Sequence, residues 1–384
     1  MAAPGDLDTS FDGNGKKTIN FGGIDSANAV LVQSNGRIVV AGDGAAANSF
    51  CVARLRANGA FDTTFGSGGR RTIDFGGDSA SLLGAALQPD GRIVLAGRSD
   101  LQVAVARVNP SGSLDTTFSG DGKKLFSWGG FSEATSVLVL PNGKILLAGF
   151  FGPEGGNIQV ARLNANGALD NTFGTGGKAP VDFGGDDFGL AMARQANGRI
   201  VVAGQSRVTG QSVGSAVVTR LRASGTLDPD FGGNGRVTLP GDGIARAVLV
   251  QPDRQIVVAG NASGSAMMTV TRLNPNGSLD ATFDGDGTAT IDFGATADLA
   301  GGAVRQPDGK IVVAGSTQAG GDVAVGRLNA NGSPDTTFGS GGKATVVFGA
   351  ATFGFAVALQ PNGRIVVAGQ RTAGNDFAVA RLLG

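Results

Sequence analysis

Three observations predict an all-β chain folded as a single seven-bladed β-propeller, with four antiparallel strands per blade. The phrase Asn35-Gly36-Arg37-Ile38-Val39-Val40-Ala41-Gly42 returns around Ile93, Ile145, Ile200, Ile256, Ile311 and Ile365. The Asp of a Leu-Asp-x-x-Phe type phrase falls at 8, 62, 115, 170, 228, 280 and 335. A period of this size marks a repeat architecture, in which no copy buries a core alone. Glycine supplies 67 of 384 residues and hydrophobic residues 41%, a composition suited to many short strands and tight turns.

One unit justifies the elements in order. Ala27 to Gln33 is an apolar stretch ended by Asn35-Gly36, and Arg37 to Gly42 is a second run rich in β-branched residues. Such a pair predicts a hairpin closed by a type I′ turn, which needs positive φ at both central residues. Copy five has Asp253-Arg254 there, so a different turn type is expected in that copy. A variable loop, Asp43 to Ser49, leads to a third strand, Phe50 to Leu55. That strand is apolar on both faces, so both are covered. A long turn with the Leu-Asp-x-x-Phe phrase and a Gly-rich corner leads to a fourth strand, Arg70 to Phe75. No stretch shows the helical period. The blades are placed at about 24–76, 77–129, 130–184, 185–240, 241–293, 294–348 and 349–384 plus 16–21. Lys16–Phe21 is thus expected to pair with Phe377–Leu382 and close the ring.

Gln360 to Gly369 and Phe377 to Leu382, with the Leu-Asp-x-x-Phe-Gly phrase, resemble the delta-60 repeat of bacterial secreted and surface proteins. The resemblance covers essentially the whole chain. It implies a β-propeller, often in exported proteins, and brings no catalytic or ligand residues. Arg254, Leu239-Pro240-Gly241 and Trp128 depart from the pattern without bearing on the fold.

An arginine closes each third strand. Six precede the phrase Asp by eight residues: Arg54 and Asp62, Arg107 and Asp115, Arg162 and Asp170, Arg220 and Asp228, Arg272 and Asp280, Arg327 and Asp335. Structural ion pairs pinning the long turns are expected, because function rarely needs so many identical sites. The corners Asp12-Gly13-Asn14-Gly15 and Asp284-Gly285-Asp286-Gly287 resemble calcium loops, but other copies replace their carboxylates with Gly, so turns are expected. Asp25, Asp78, Glu133, Asp186, Asp187, Asp242 and Asp298 near the fourth-to-first strand connections are expected to form a solvated rim.

The informative residues break the repeat. Second-to-third strand connections vary most and share a face with the fourth-to-first connections, and variable loops on a rigid scaffold commonly bind. Phe131, Phe150 and Phe151 in blade three, and Phe188 in blade four, are the candidate partner-binding residues. Phe353 and Phe355 are placed at the channel mouth.

Catalysis is poorly supplied. With no His and no Tyr, the usual general base and imidazole metal sites are missing, and Cys51 alone cannot hold zinc. No cofactor, no metal and no enzyme are expected. With 31 basic and 31 acidic residues the chain lacks a nucleic-acid footprint. It also has no apolar run long enough for a transmembrane helix. Met1 to Gly5 is no signal peptide, though Ala2-Ala3-Pro4 suits a mature end left by cleavage. The expectation is a monomeric, non-catalytic binding or scaffold propeller, secreted or on a bacterial cell surface, whose partner is a protein or a glycan-type envelope polymer. A lectin-like propeller is the alternative, and a carboxylate-based hydrolase or lyase is the least favoured.

Overall fold

The computed structural model describes residues 2–384 apart from 45–48, 153–155, 209–210, 212, 264–265 and 318–320, and apart from the Asp242 side chain. Five four-stranded sheets and one seven-stranded sheet make up the seven blades, with no helix among the described residues. The chain opens with β1 (Lys16–Ile19). Blade one then contains β2 (Ser26–Val32), β3 (Ile38–Gly44), β4 (Ser49–Leu55) and β5 (Arg70–Asp74), paired in that order. The ring closes as expected: β1 pairs antiparallel with Asp376–Leu382, Lys16 opposite Ala380 and Ile19 opposite Phe377.

The seven-stranded sheet is two blades sharing one strand. Arg236–Val250 runs on through Leu239-Pro240-Gly241, with a register shift between Ser215 and Val217. It serves as the last strand of blade four and the first of blade five.

The core lies between blades. Seven apolar clusters each join two neighbours. Because side chains alternate along a strand, Phe50 and Val52 of β4 face blade two, while Cys51, Ala53 and Leu55 face blade seven. Burial pushes the Cys51 thiol up to about 12, so it packs as a small apolar residue. The Phe of every long-turn phrase is fully buried, from Phe11 to Phe338.

The hairpin corners correct the sequence expectation. Only the glycine takes positive φ: 80° at Gly36, with Asn35 not among the positive-φ residues. Gly36 N–H donates to Gln33 O at 2.8 Å, and Gln33 N–H donates to Arg37 O at 2.8 Å. This is a type I turn followed by a bulged residue in the left-handed region, not type I′. Arg254 takes the same place at φ 72°, with the same two bonds through Gln251. Copy five therefore keeps the turn type and carries the strain.

Candidate functional site

The repeated Arg and Asp meet at seven equivalent stations on the face of the long turns. Asp62 Oδ2 lies 2.8 Å from Arg54 Nε and 2.8 Å from Arg37 Nε. Thr64 Oγ1 donates to Asp62 Oδ1 at 2.7 Å and accepts Arg54 Nη2 at 3.0 Å. Arg54 Nη1 donates across the seam to Pro110 O of blade two, and the guanidinium lies 4.8 Å from the Phe65 ring centre. The other predicted pairs fall at 2.7 Å (Arg107–Asp115), 2.5 Å (Arg162–Asp170), 2.7 Å (Arg220–Asp228), 2.7 Å (Arg272–Asp280) and 2.6 Å (Arg327–Asp335). Arg381 and Asp8 supply the seventh at 2.9 Å.

The second cation was missed in the sequence. It follows the hairpin glycine: Arg37, Arg92, Lys144, Arg199, Lys310 and Arg364 each reach the station Asp. In copy five Gln255 donates to Asp280 Oδ2 at 2.5 Å instead. At Asp62 burial raises the pKa, but the Thr64 bonds and the Arg54 and Arg37 charges outweigh it and hold the carboxyl low. Each carboxylate is thus held by donors from its own blade, though at Asp228 residue Asp230 stands in the Thr place and Oδ1 accepts its N–H at 3.4 Å. Corner residues share this structural role. Asp284 N–H donates to Asn331 O of the next blade, and Asp286 Oδ1 accepts Thr288 N–H.

Several acids of the opposite face are buried, which corrects the expected solvated rim. Asp25 and Asp298 are 0% exposed and Asp187 is 1% exposed. Their carboxylates accept the N–H groups of Phe21, Phe293 and Phe183, fixing the fourth-to-first connections. Asp186 is buried too, Asp78 remains exposed, and the Asp242 side chain lies outside the described residues. Glu133 is half-buried and pairs with Arg98 at 2.9 Å.

Of the four candidate phenylalanines, three meet. Phe131 stacks on Phe150 with ring centres 5.9 Å apart, and Phe150 meets Phe188 edge-on at 4.8 Å. Arg98 covers Phe131 at 5.6 Å and Arg207 covers Phe188 at 4.4 Å. The result is a half-buried row, Arg–Phe–Phe–Phe–Arg, across blades two to four. Phe151 does not join it. The second strand of blade three, Ile145–Phe151, runs through both residues, so they point to opposite sides. Phe151 packs into the cluster containing Trp128.

A second feature escaped the sequence reading. The first strand of every blade has a register shift, and its extra residue lines the channel: Asn28, Leu83, Thr135, Leu190, Arg246, Gly301 and Phe355. These residues wall a cavity of about 360 Å³, joined by Glu133, Phe353 and Ser316. Phe353 and Phe355 thus stand at the mouth. The signal was available: a variable residue between small ones, as in Ala245-Arg246-Ala247 and Gly354-Phe355-Ala356.

Comparison with known structures finds the same architecture in distant proteins. Virginiamycin B lyase from Staphylococcus aureus superposes with a TM-score of 0.61 at 10% identity, covering 96% of this chain and 98% of that one. YCF48 bound to D1 peptide gives 0.56 at 11% identity, covering 100% and 98%. Hydrazine synthase of Kuenenia stuttgartiensis gives 0.53 at 12% identity, covering 92% and 95%. At such identities the likeness is one of fold alone. No curated protein matches the chain. A family described as a domain of unknown function (DUF5122) beta-propeller matches seven times, over 33–65, 88–118, 140–173, 195–231, 251–283, 306–338 and 360–384. These spans take up more than half of the sequence, and the chain belongs to the DUF5122 beta-propeller family.

Proposed function

We propose that the chain is a non-catalytic binding module that engages a protein or an envelope polymer through its variable-loop face. One observation carries this reading: where the exposed large apolar side chains lie. Ile24, Leu101, Val208, Val213, Val347 and Phe355 are exposed on that face or at the channel mouth. Of the others, Leu125 is on a blade edge and Leu279 on the long-turn face. Apolar side chains left in water on one side of a rigid scaffold suit an interaction site. The Arg–Phe–Phe–Phe–Arg row adds a firm floor beneath part of that face.

The absence of His and Tyr from the sequence supports a non-catalytic role. So does the use of Glu133 in an ion pair and of Asp25, Asp187 and Asp298 as backbone acceptors. Reading the units as delta-60 repeats, and placing them at a bacterial cell surface, rests on the motif resemblance.

The test exposes the intact chain to a peptide-display library and a glycan array, then repeats each hit with a Leu101→Ser, Val208→Ser variant. Hits lost by the variant at unchanged melting temperature support the reading. Hits kept by the variant, or none from the wild type, overturn it. Glycan hits alone turn the assignment to the lectin-like alternative.

A further inference from the structure

The channel mouth carries a cation, Arg246, with no anion paired to it among the described residues. Arg246 is the bulge residue of blade five, and its side chain takes part in no ion pair or hydrogen bond among the described residues. The other polar members of the ring are committed. Asn28 Nδ2 donates to Leu82 O at 2.8 Å and to Asp43 Oδ2 at 3.1 Å. Thr135 Oγ1 donates to Gly189 O at 2.6 Å. Glu133, the carboxylate in the wall, lies 2.9 Å from Arg98. These residues tie neighbouring blades together, and the Arg246 side chain makes no such tie among the described residues. Its side chain is exposed to the channel, yet protein surrounds it closely enough that desolvation lowers its pKa.

A guanidinium facing the channel with no anion beside it among the described residues is able to receive one, whereas most arginines of this chain are already paired. The rest of the ring is apolar or small: Leu83, Leu190, Gly301 and Phe355. A cavity of about 360 Å³ is large enough for a small organic ligand or the end of a peptide. An apolar wall with one convergent cation selects a particular ligand shape.

We propose that the channel mouth binds a carboxylate borne on an apolar body, with Arg246 receiving the carboxylate and Phe355, Leu83 and Leu190 the body. The planar guanidinium matches a carboxylate through two parallel N–H donors, and such bonds gain strength away from bulk water. Gly301 adds no side chain to the ring, because a Cβ there would meet the Gly354 and Phe355 backbones at 2.7–2.8 Å, so on that side the wall is formed by Phe355. The inference deepens the reading of this face as the binding face, and adds the chemistry of what enters its centre.

Calorimetric titration of the intact chain provides the test. The probes are 3-phenylpropionate and a short peptide ending in phenylalanine, each as free acid and as amide. At least one acid is expected to bind, with its amide about tenfold weaker or worse, since a hydrogen bond to a charged group is at stake. Binding of phenylpropionate alone identifies a free small acid, and binding of the peptide identifies a chain end. Arg246→Met is expected to weaken the acid by a similar factor and leave the amide unchanged. Acids and amides binding alike, no acid binding at millimolar concentration, or full binding by Arg246→Met overturns the proposal. If Arg246→Met melts early, the acid and amide comparison on the wild-type chain decides. The Leu101→Ser, Val208→Ser variant is expected to bind the acid normally. Array hits kept by that variant while the acid still binds would overturn the loop reading alone, and hits lost by it while no acid binds the wild type would overturn this inference alone.

Discussion

Arg381 Nε lies 2.9 Å from Asp8 Oδ2, an ion pair between the last strand of the chain and the turn that precedes the first. The same guanidinium donates to Ser10 Oγ at 2.8 Å and to Ala57 O of blade one. Within the other six stations, Arg and Asp stand eight residues apart, as Arg54 and Asp62 do. At the closing blade the same contact is made from opposite ends of the chain. The seam between the termini is therefore held like every other seam, with β1 paired alongside.

A double-mutant cycle on Asp8→Asn and Arg381→Gln measures that closure. Coupling of about 1 kcal/mol or more is expected, because the groups are buried and share one network. At an internal station, Asp170→Ala leaves Arg162 and Lys144 without their carboxylate and is expected to cost about 3–5 kcal/mol. A loss under about 0.5 kcal/mol in urea melts, the level of an ordinary surface change, would show that the stations do not hold the blades.

Blade five is the imperfect copy, and its imperfections are reversible. Arg254 sits at φ 72° where the other hairpins have glycine, a conformation costing an L-residue about 1–2 kcal/mol. Arg254→Gly is expected to recover about 0.5–1 kcal/mol, since glycine's larger unfolded entropy cancels part of the relief. Gln255→Arg would restore the second cation on Asp280 and is expected to add about 0.5–1 kcal/mol. Lower urea midpoints for these variants would mean that copy five has repacked around its own residues.

Two groups of carboxylates titrate in opposite senses. The station residues Asp8, Asp62, Asp115, Asp170, Asp228, Asp280 and Asp335 all have pKa values below the ordinary one. A depressed folded value gives stability that is full above the unfolded pKa, about 3.9. That stability is lost as pH falls toward the folded value. The stations' contribution is therefore expected to hold from neutral pH to about pH 5, and the urea midpoint to drop steeply below about pH 4. Asp43 behaves inversely. Burial raises it to about 6, against bonds from Leu82 N–H, Ser81 and Asn28. Its contribution is full below the unfolded value and fades as pH rises through about 6. Carboxyl-carbon NMR should show Asp43 titrating near 6; a midpoint at the ordinary aspartate value would mean that water reaches it.

The blade count, the ring closure and the Arg–Asp spacing were legible because each is a statement about periodicity, and periodicity survives in one dimension. The turn type was not. Asn-Gly suits two hairpin geometries, and the choice depends on whether Gln33 and Arg37 pair across the corner. The burial of Asp25 and Asp298 was hidden for a related reason: their partners are backbone N–H groups, which no residue pattern advertises. Phe150 and Phe151 looked alike as loop residues until the strand extended through them and sent them to opposite sides. Arg246 was written plainly between two alanines, but its isolation depends on what the other six blades place around the channel.

That opposition makes a final prediction. Phe151 packs against the Trp128 cluster between blades two and three, so Phe151→Ser removes core contacts and is expected to cost about 2–4 kcal/mol. Phe150 contacts Phe131 and Phe188, and Phe150→Ser is expected to cost about 1–2 kcal/mol, the worth of two ring contacts and some buried area. The double change would conflate the two effects, so the single variants are compared by thermal melting and by binding of the array hits. Phe151→Ser should lower the melting temperature more and leave the affinity of the remaining folded protein intact. Phe150→Ser should reduce affinity with a smaller thermal shift, because the row beneath the loops loses its middle ring. An equal or larger thermal loss for Phe150→Ser, with affinity retained, would make the row ordinary core between blades three and four and remove it from the binding face.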